Sequence, residues 1–195
     1  MRIIAGSAKG KTLISPPDSR TRPTSDRARE GLFSSLESEF SSLEGLHFLD
    51  LFAGSGAVGV EALSRGAGVV HSVESESSVE SVAIKNFQCV KTATGTFRVF
   101  HTSAERFLAS DNATEKGRYD IIFMDPPYEL SNQSIEELLE VIKTRDLLAL
   151  RGVLAIERKS KSSPFTWPVG MEEIKVRSYG QGSIFYGGYS ASVLP

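Results

Sequence analysis

Asp125-Pro126-Pro127-Tyr128 follows the apolar run Ile121-Ile122-Phe123-Met124. Two successive prolines end a strand and stiffen the turn after it. A carboxylate and two carbonyls are thereby held in fixed positions, as a reacting centre requires. Such acceptors suit an amino group on an aromatic base. That group is a poor nucleophile, because its lone pair is delocalised into the ring. Hydrogen bonds from its two N–H groups to the Asp125 carboxylate and the Pro126 carbonyl favour a pyramidal nitrogen with its lone pair available for attack. They also stabilise the positive charge that builds on nitrogen. Pro127 completes the rigid turn, and Tyr128 offers a face for base stacking, worth about 1–3 kcal/mol. A base inside a duplex would first have to leave its stack.

The second stretch is Asp50-Leu51-Phe52-Ala53-Gly54-Ser55-Gly56-Ala57-Val58-Gly59, where a buried strand turns into a helix. Glycines allow a sharp turn and close approach of a ligand to the backbone. The position, at the carboxyl end of a sheet strand, is where open α/β sheets bind ligands. Phe52, Ala53, Gly54, Ser55 and Gly56 are the expected cofactor contacts here. Gly54, Gly56 and Gly59 also satisfy G-x-G-x-x-G, and Glu74 stands twenty residues beyond Gly54 at the end of the next strand. That is formally a dinucleotide fingerprint, so a nicotinamide- or flavin-dependent oxidoreductase competes with S-adenosylmethionine chemistry. Glu74 can accept ribose hydroxyls in either case. Asp50 separates the two, because a carboxylate suits the cationic amino end of S-adenosylmethionine and is unhelpful beside a pyrophosphate. Ser103 and Ala104, after the third strand, are expected to border the adenine.

These stretches need a scaffold. From residue 46 the pattern alternates. Strands are expected at 46–52, 69–74, 96–102, 120–125 and 153–157. Helices are expected through about residue 64 and at 79–90, 104–109 and 134–148. Alternation of this kind implies a mostly parallel sheet covered on both faces. Two closing strands, 173–179 and 184–189, share a link too short for a parallel crossover and imply an antiparallel edge. Strands one and four should be neighbours, which would set the glycine turn opposite Asp125. Before the alternation, 2–5 and 12–15 read as a hairpin, and a helix should start near Thr24 or Ser25. The boundary is placed between an arm, residues 1–40, and a main domain, residues 41–195.

Across 195 residues the composition is 40% hydrophobic and 24% charged with net charge −2, which excludes disorder and a polycationic chain. The charge is unevenly distributed. Seven basic residues face two acidic ones within residues 1–29, giving +5 there and −7 over the rest. A basic end on an acidic body points to a polyanionic partner. Cys89 is alone, so no internal disulfide forms, and no apolar signal core or membrane span is evident. The expected setting is the cytoplasm. His47, His71 and His101 fall in or beside strands without metal-ligand spacing. They read as core or edge residues, and no metal is expected.

Together these features resemble the class I methyltransferase fold, a Rossmann-like seven-stranded α/β architecture, and the amino-methyltransferases with a D/N-P-P-Y/F signature. Arg2-Ile3-Ile4-Ala5-Gly6, residues 21–33 (TRPTSDRAREGLF) and Glu61-Ala62-Leu63-Ser64-Arg65-Gly66 narrow the resemblance to the bacterial RsmD-type 16S ribosomal RNA guanine-N2 methyltransferases. The resemblance implies S-adenosylmethionine as cofactor. It also implies a guanine in small-subunit RNA as substrate, presented within the subunit or its assembly intermediate. Adenine-N6 methylation of DNA or RNA is the nearest alternative, since Asp125-Pro126-Pro127-Tyr128 serves either amine. Lys9, Lys11, Arg22, Thr24, Arg27 and Arg29 would then face RNA, with internal salt bridging, for example to Glu30, the alternative for Arg22 and Arg29. Arg158, Lys159 and Lys161 read equally well as a basic rim or a solvated loop.

Overall fold

The computed structural model describes residues 1–16, 26–90, 94–160 and 163–192. Helix α1 (Asp26–Phe40) precedes a sheet built from β1 (His47–Asp50), β2 (Val69–Glu74), β3 (Thr96–His101), β4 (Tyr119–Met124), β5 (Leu148–Lys159), β6 (Met171–Tyr179) and β7 (Gly182–Tyr189). Between the strands lie α2 (Ala57–Ser64), α3 (Ser77–Gln88), α4 (Ala104–Ala109) and α5 (Asn132–Thr144). The order across the sheet is β3-β2-β1-β4-β5-β7-β6. The five strands β1 to β5 run parallel, while β7 is antiparallel to both β5 and β6. The antiparallel strand therefore lies one place in from the edge, and β6 forms the edge itself. An all-parallel dinucleotide fold of order 3-2-1-4-5-6 has no such inserted strand. The seven-stranded class I methyltransferase architecture does.

Consecutive side chains of a strand point to opposite faces, and the apolar runs divide accordingly. Phe48, Ile121, Phe123, Val153 and Ala155 join Leu32, Phe33 and Leu36 of α1, Val58 and Leu63 of α2 and Phe87 of α3 in one apolar cluster. Leu49, Ile122, Met124, Leu154 and Ile156 face the other way, onto Phe107 and Leu108 of α4 and Leu138, Leu139 and Ile142 of α5. Burial on both faces is why these strands read as continuous apolar runs and not as alternating ones.

Residues 1–16 form an irregular hairpin with a single antiparallel bridge, Arg2 to Thr12, and not two full strands. Its Ile3 and Leu13 belong to the same apolar cluster as α1 and the sheet. The described part of residues 1–40 thus shares an apolar cluster with the sheet. The Ile4 and Ala5 N–H groups donate to the Glu61 carboxylate of α2 (2.8 and 2.9 Å), and Ala8 N–H donates to Ser64 Oγ (3.0 Å). The capping residues expected for α1, Thr24 and Ser25, lie outside the described residues.

The largest departures from the expected element boundaries are at the end of α5 and in β5. Helix α5 ends at Thr144, because Asp146 takes a left-handed turn (φ 55°) that sends Leu147 and Leu148 into the sheet. Strand β5 is longer than 153–157, and it carries Arg158 inside a strand where a rim or loop was expected.

Candidate active site

The glycine turn joins β1 to α2. Gly54 (φ 53°) and Gly56 (φ 76°) are both left-handed, a conformation that side-chain-bearing residues resist. Ala53 N–H is tied to the Val73 carbonyl (2.9 Å) and Leu51 N–H to the Phe123 carbonyl (3.0 Å), so the turn is anchored to β2 and β4. Glu74, ending β2, accepts from Gly54 N–H through Oε2 (2.9 Å) and from Glu76 N–H through Oε1 (2.8 Å). Each carboxylate oxygen retains a further lone pair, and Glu74 lines the cleft. From α3, buried Asn86 donates to the Ser55 carbonyl (2.8 Å) and also pairs with Ile14 N–H and carbonyl (2.8 and 2.9 Å). One amide thus fastens the N-terminal hairpin to the glycine turn.

Asp50 is 1% exposed, and among the described residues neither of its carboxylate oxygens has a hydrogen-bond partner. Burial pushes its carboxyl up to about 8, and the charges of Asp125 and Glu74 add to the rise. The N–H groups of Phe52 and Gly59 face it and oppose the rise without closing a hydrogen bond. Buried polar groups normally find partners, so a cationic ligand group is what this position lacks.

Asp125 follows β4 and is half-buried, Pro126 is buried, and Pro127 and Tyr128 are exposed. The loop beyond is held from β5. Arg158 Nη2 donates to the Leu130 carbonyl (2.7 Å) and Nη1 lies 3.5 Å from the Pro127 carbonyl, which also accepts Leu130 N–H (2.9 Å). Arg158 is 5% exposed, and burial draws its guanidinium below the usual arginine value. Fixed carbonyls offset the desolvation of such a cation.

One cleft of about 650 Å³ brings these groups together. Asp50, Phe52, Ala53, Gly54, Ser55, Glu74, Ser103, Ala104 and Asp125 through Tyr128 all line it. Gly56 lies beneath the turn, where a Cβ would stand 3.1 Å from Ala83 Cβ. Ser103 caps α4, its Oγ accepting from Arg106 N–H (3.4 Å). Residues given no role from sequence also line the cleft: Pro16, Glu76, Glu157, Tyr179 and Gly182. For Glu157 the available signal was a charged pair, Glu157-Arg158, closing an apolar strand.

The expected RNA-facing residues separate. Lys9, Lys11 and Arg27 are exposed, with Lys11 Nζ donating to the Cys89 carbonyl (2.8 Å). Arg22 and Thr24 lie outside the described residues. Arg29 is corrected, since its side chain is fully buried and pairs with Asp26 (3.0 Å), Glu61 (3.7 Å) and the Arg2 carbonyl. It points inward because Glu61, itself buried on α2, gathers Arg29, Arg65 and two backbone N–H groups. His71 is a core residue, as expected. Its Nδ1 lies 2.7 Å from Tyr119 Oη, and burial lowers its pKa to about 4.

The acids of the cleft wall are Asp50, Glu74, Glu76, Glu105, Asp125, Glu129 and Glu157, and no lysine or arginine joins them among the described residues. The wall is hostile to a pyrophosphate and suited to a ligand bearing an ammonium and a sulfonium. S-adenosylmethionine fits it, whereas the dinucleotide alternative does not.

A family model described as Conserved hypothetical protein 95 matches residues 1–187. Ribosomal RNA small subunit methyltransferase D of Escherichia coli is 34% identical over 179 residues, spanning 89% of this chain and 84% of that protein. The chain belongs to this family. The methyltransferase D protein of Haemophilus influenzae is 32% identical and spans 92% of this chain and 89% of its own length. The solved structure of Escherichia coli yhhF superposes with a TM-score of 0.81 at 31% identity, covering 97% of this chain and 98% of that one. The family-model match runs from the N-terminal hairpin into β7, so it includes every element that lines the cleft.

Proposed function

We propose that this protein transfers a methyl group from S-adenosylmethionine to the exocyclic N2 amino group of a guanine in small-subunit ribosomal RNA. The observation that carries the reading is one cleft holding both a buried, unpartnered carboxylate at a glycine turn and an Asp-Pro-Pro-Tyr turn on the neighbouring strand. S-adenosylmethionine, when bound, supplies an electrophilic methyl group on a sulfonium. Asp50 is the residue to hold its ammonium, Glu74 its ribose hydroxyls, and Ser103 and the Ala104 N–H its adenine.

Asp125 and the Pro126 carbonyl accept the two N–H groups of the base amine and aim its lone pair. Tyr128 stacks on the base ring. The bound cofactor would give its methyl group to that lone pair and would keep the carbon–sulfur bonding pair on its sulfur. The nitrogen then sheds a proton, which the Asp125 carboxylate is positioned to hold. The choice of small-subunit ribosomal RNA follows the Escherichia coli and Haemophilus influenzae relatives, both named ribosomal RNA small subunit methyltransferase D. The choice of guanine N2 follows the resemblance of residues 20–66 and 123–128 to RsmD-type enzymes. Lys9, Lys11, Arg22, Thr24 and Arg27 serve as the RNA-facing set of residues 1–40.

The test uses S-adenosylmethionine labelled in its methyl group with small subunits lacking the modification, naked ribosomal RNA and duplex DNA. Products are digested to nucleosides and identified by mass spectrometry. Label in N2-methylguanosine is expected, and the better RNA acceptor places the step in assembly. Label in N6-methyladenine would retain the fold and chemistry but overturn the substrate.

A further inference from the structure

We propose that Glu157 is the residue that selects guanine, by accepting the N1–H beside the amino group that Asp125 accepts. The inference rests on the guanine reading above and adds the basis of base choice. In the parallel pairing of β4 with β5, Phe123 stands opposite Ala155 and Met124 opposite Ile156. One step further along both chains sets Asp125 level with Glu157. The alternation that places Phe123 and Ala155 on the α1-facing side of the sheet carries both carboxylates to that same side. Both then line the cleft together with Tyr128.

Glu157 is not a strand-end carboxylate left in solvent. It is 7% exposed, and its place is shaped by β7. A Cβ on Gly182 would lie 2.7 Å from Glu157 Oε1, so only glycine leaves the carboxylate where it stands. An ionised carboxylate accepts hydrogen bonds and donates none. Guanine presents two adjacent donors on its Watson–Crick edge, N1–H and the N2 amine. Adenine presents its amine beside N1, which is a bare lone pair. Two level carboxylates match the guanine edge and oppose the adenine edge. A site built to hydrogen-bond a group rejects strongly the analogue that lacks it.

The experiment compares the full-length protein with Glu157→Gln and Glu157→Asp. Acceptors are small subunits reconstituted with guanine or with 2,6-diaminopurine at the mapped target. Diaminopurine keeps the 2-amino group but replaces N1–H with a lone pair. The unaltered protein is expected to favour guanine. Glu157→Gln should lose about 10- to 100-fold in kcat/KM on guanine, the range of a charge-assisted hydrogen bond. It should also narrow or invert the preference, because its amide can donate to N1. Glu157→Asp keeps an acceptor and should keep the preference even where its rate falls. The Kd for S-adenosylhomocysteine should stay within about twofold of that of the unaltered protein in both variants, as expected of a group that leaves cofactor binding alone. An unchanged guanine preference in Glu157→Gln, or joint loss of cofactor affinity and Tm, overturns the inference and leaves the guanine reading standing. Label on adenine by the unaltered protein overturns both.

Discussion

Asp50 holds a proton in the folded protein at pH values where the unfolded chain has released it, since its carboxyl rises from 3.8 to about 8. Below pH 4 both states are protonated and the contribution is fully present. Between pH 4 and 8 the folded state binds more protons, so stability conferred by this group falls as pH rises and levels off beyond about 8. The ligand-free protein should therefore lose Tm across that window, and Asp50→Asn should flatten the loss. Cofactor binding has the opposite dependence. A ligand ammonium draws Asp50 into its charged form and expels the proton, so affinity for S-adenosylhomocysteine should strengthen from pH 6 to 8. Calorimetry in buffers of differing ionisation enthalpy should register the released proton, and its absence would detach Asp50 from the ammonium. In the proposed reaction Asp125 acts at a different moment. Asp125→Ala should lower kcat by at least about 100-fold, the scale of a lost donor or acceptor aimed at developing charge. It should leave S-adenosylhomocysteine affinity nearly intact, because removing a like charge also relieves Asp50. Equal loss of binding and turnover would move Asp125 to the cofactor.

At the scale of elements, Glu61 joins α2 to three other segments. It sits at the second turn of a largely apolar helix and accepts from Ile4 and Ala5 of the hairpin while pairing with Arg29 of α1 and Arg65 beyond the helix. Glu61→Ala would leave a buried guanidinium and two N–H groups without their acceptor. A loss of about 3–5 kcal/mol is expected for breaking a buried pair from one side, read from urea unfolding. A loss under about 1 kcal/mol, the scale of an exposed pair, would show that water replaces the carboxylate. This hub was not legible in the sequence. Its hairpin partners lie 56 and 57 residues away in the chain, and Arg29 in isolation looks like one more positive charge on a basic segment. The glycine turn and Asp125-Pro126-Pro127-Tyr128 were legible, because each encodes its own backbone geometry locally. The parallel run of β1 to β5 followed from strand–helix alternation, and the pairing of β1 with β4 from the expected switch point of the sheet. Arg158 was not placed, since nothing local distinguishes a strand end turned inward onto the Leu130 carbonyl from a solvated rim. The helical reading of Leu147 and Leu148 failed for a similar reason. A left-handed Asp146 interrupts an apolar run that suits a helix equally well.

Charge at the scale of the whole molecule limits how RNA can be gripped. The cleft wall is acidic and lacks a basic side chain among the described residues, so phosphates are repelled from the place a base must enter. Backbone attraction has to come from outside the cleft, and the N-terminal segment carries the compensating +5 over residues 1–29. Arg29 is withdrawn from that sum by its internal pairs, whereas Lys9 and Arg27 are exposed. The same hairpin is tied to the glycine turn through Asn86, which keeps its exposed lysines in fixed relation to the cleft. Reversing Lys9 and Arg27 together, as Lys9→Glu with Arg27→Glu, should weaken binding to small-subunit RNA without altering S-adenosylhomocysteine affinity. Each neutralised phosphate contributes about 0.7–0.9 to the slope of log affinity against log salt concentration. The double variant should therefore reduce that slope by about 1.5, measured by filter binding between 50 and 200 mM salt, the interval over which such contacts weigh most. A parallel line displaced to weaker affinity would mean general repulsion rather than lost phosphate contacts. An unchanged line would remove this face from the interface and shift the grip to another part of the surface.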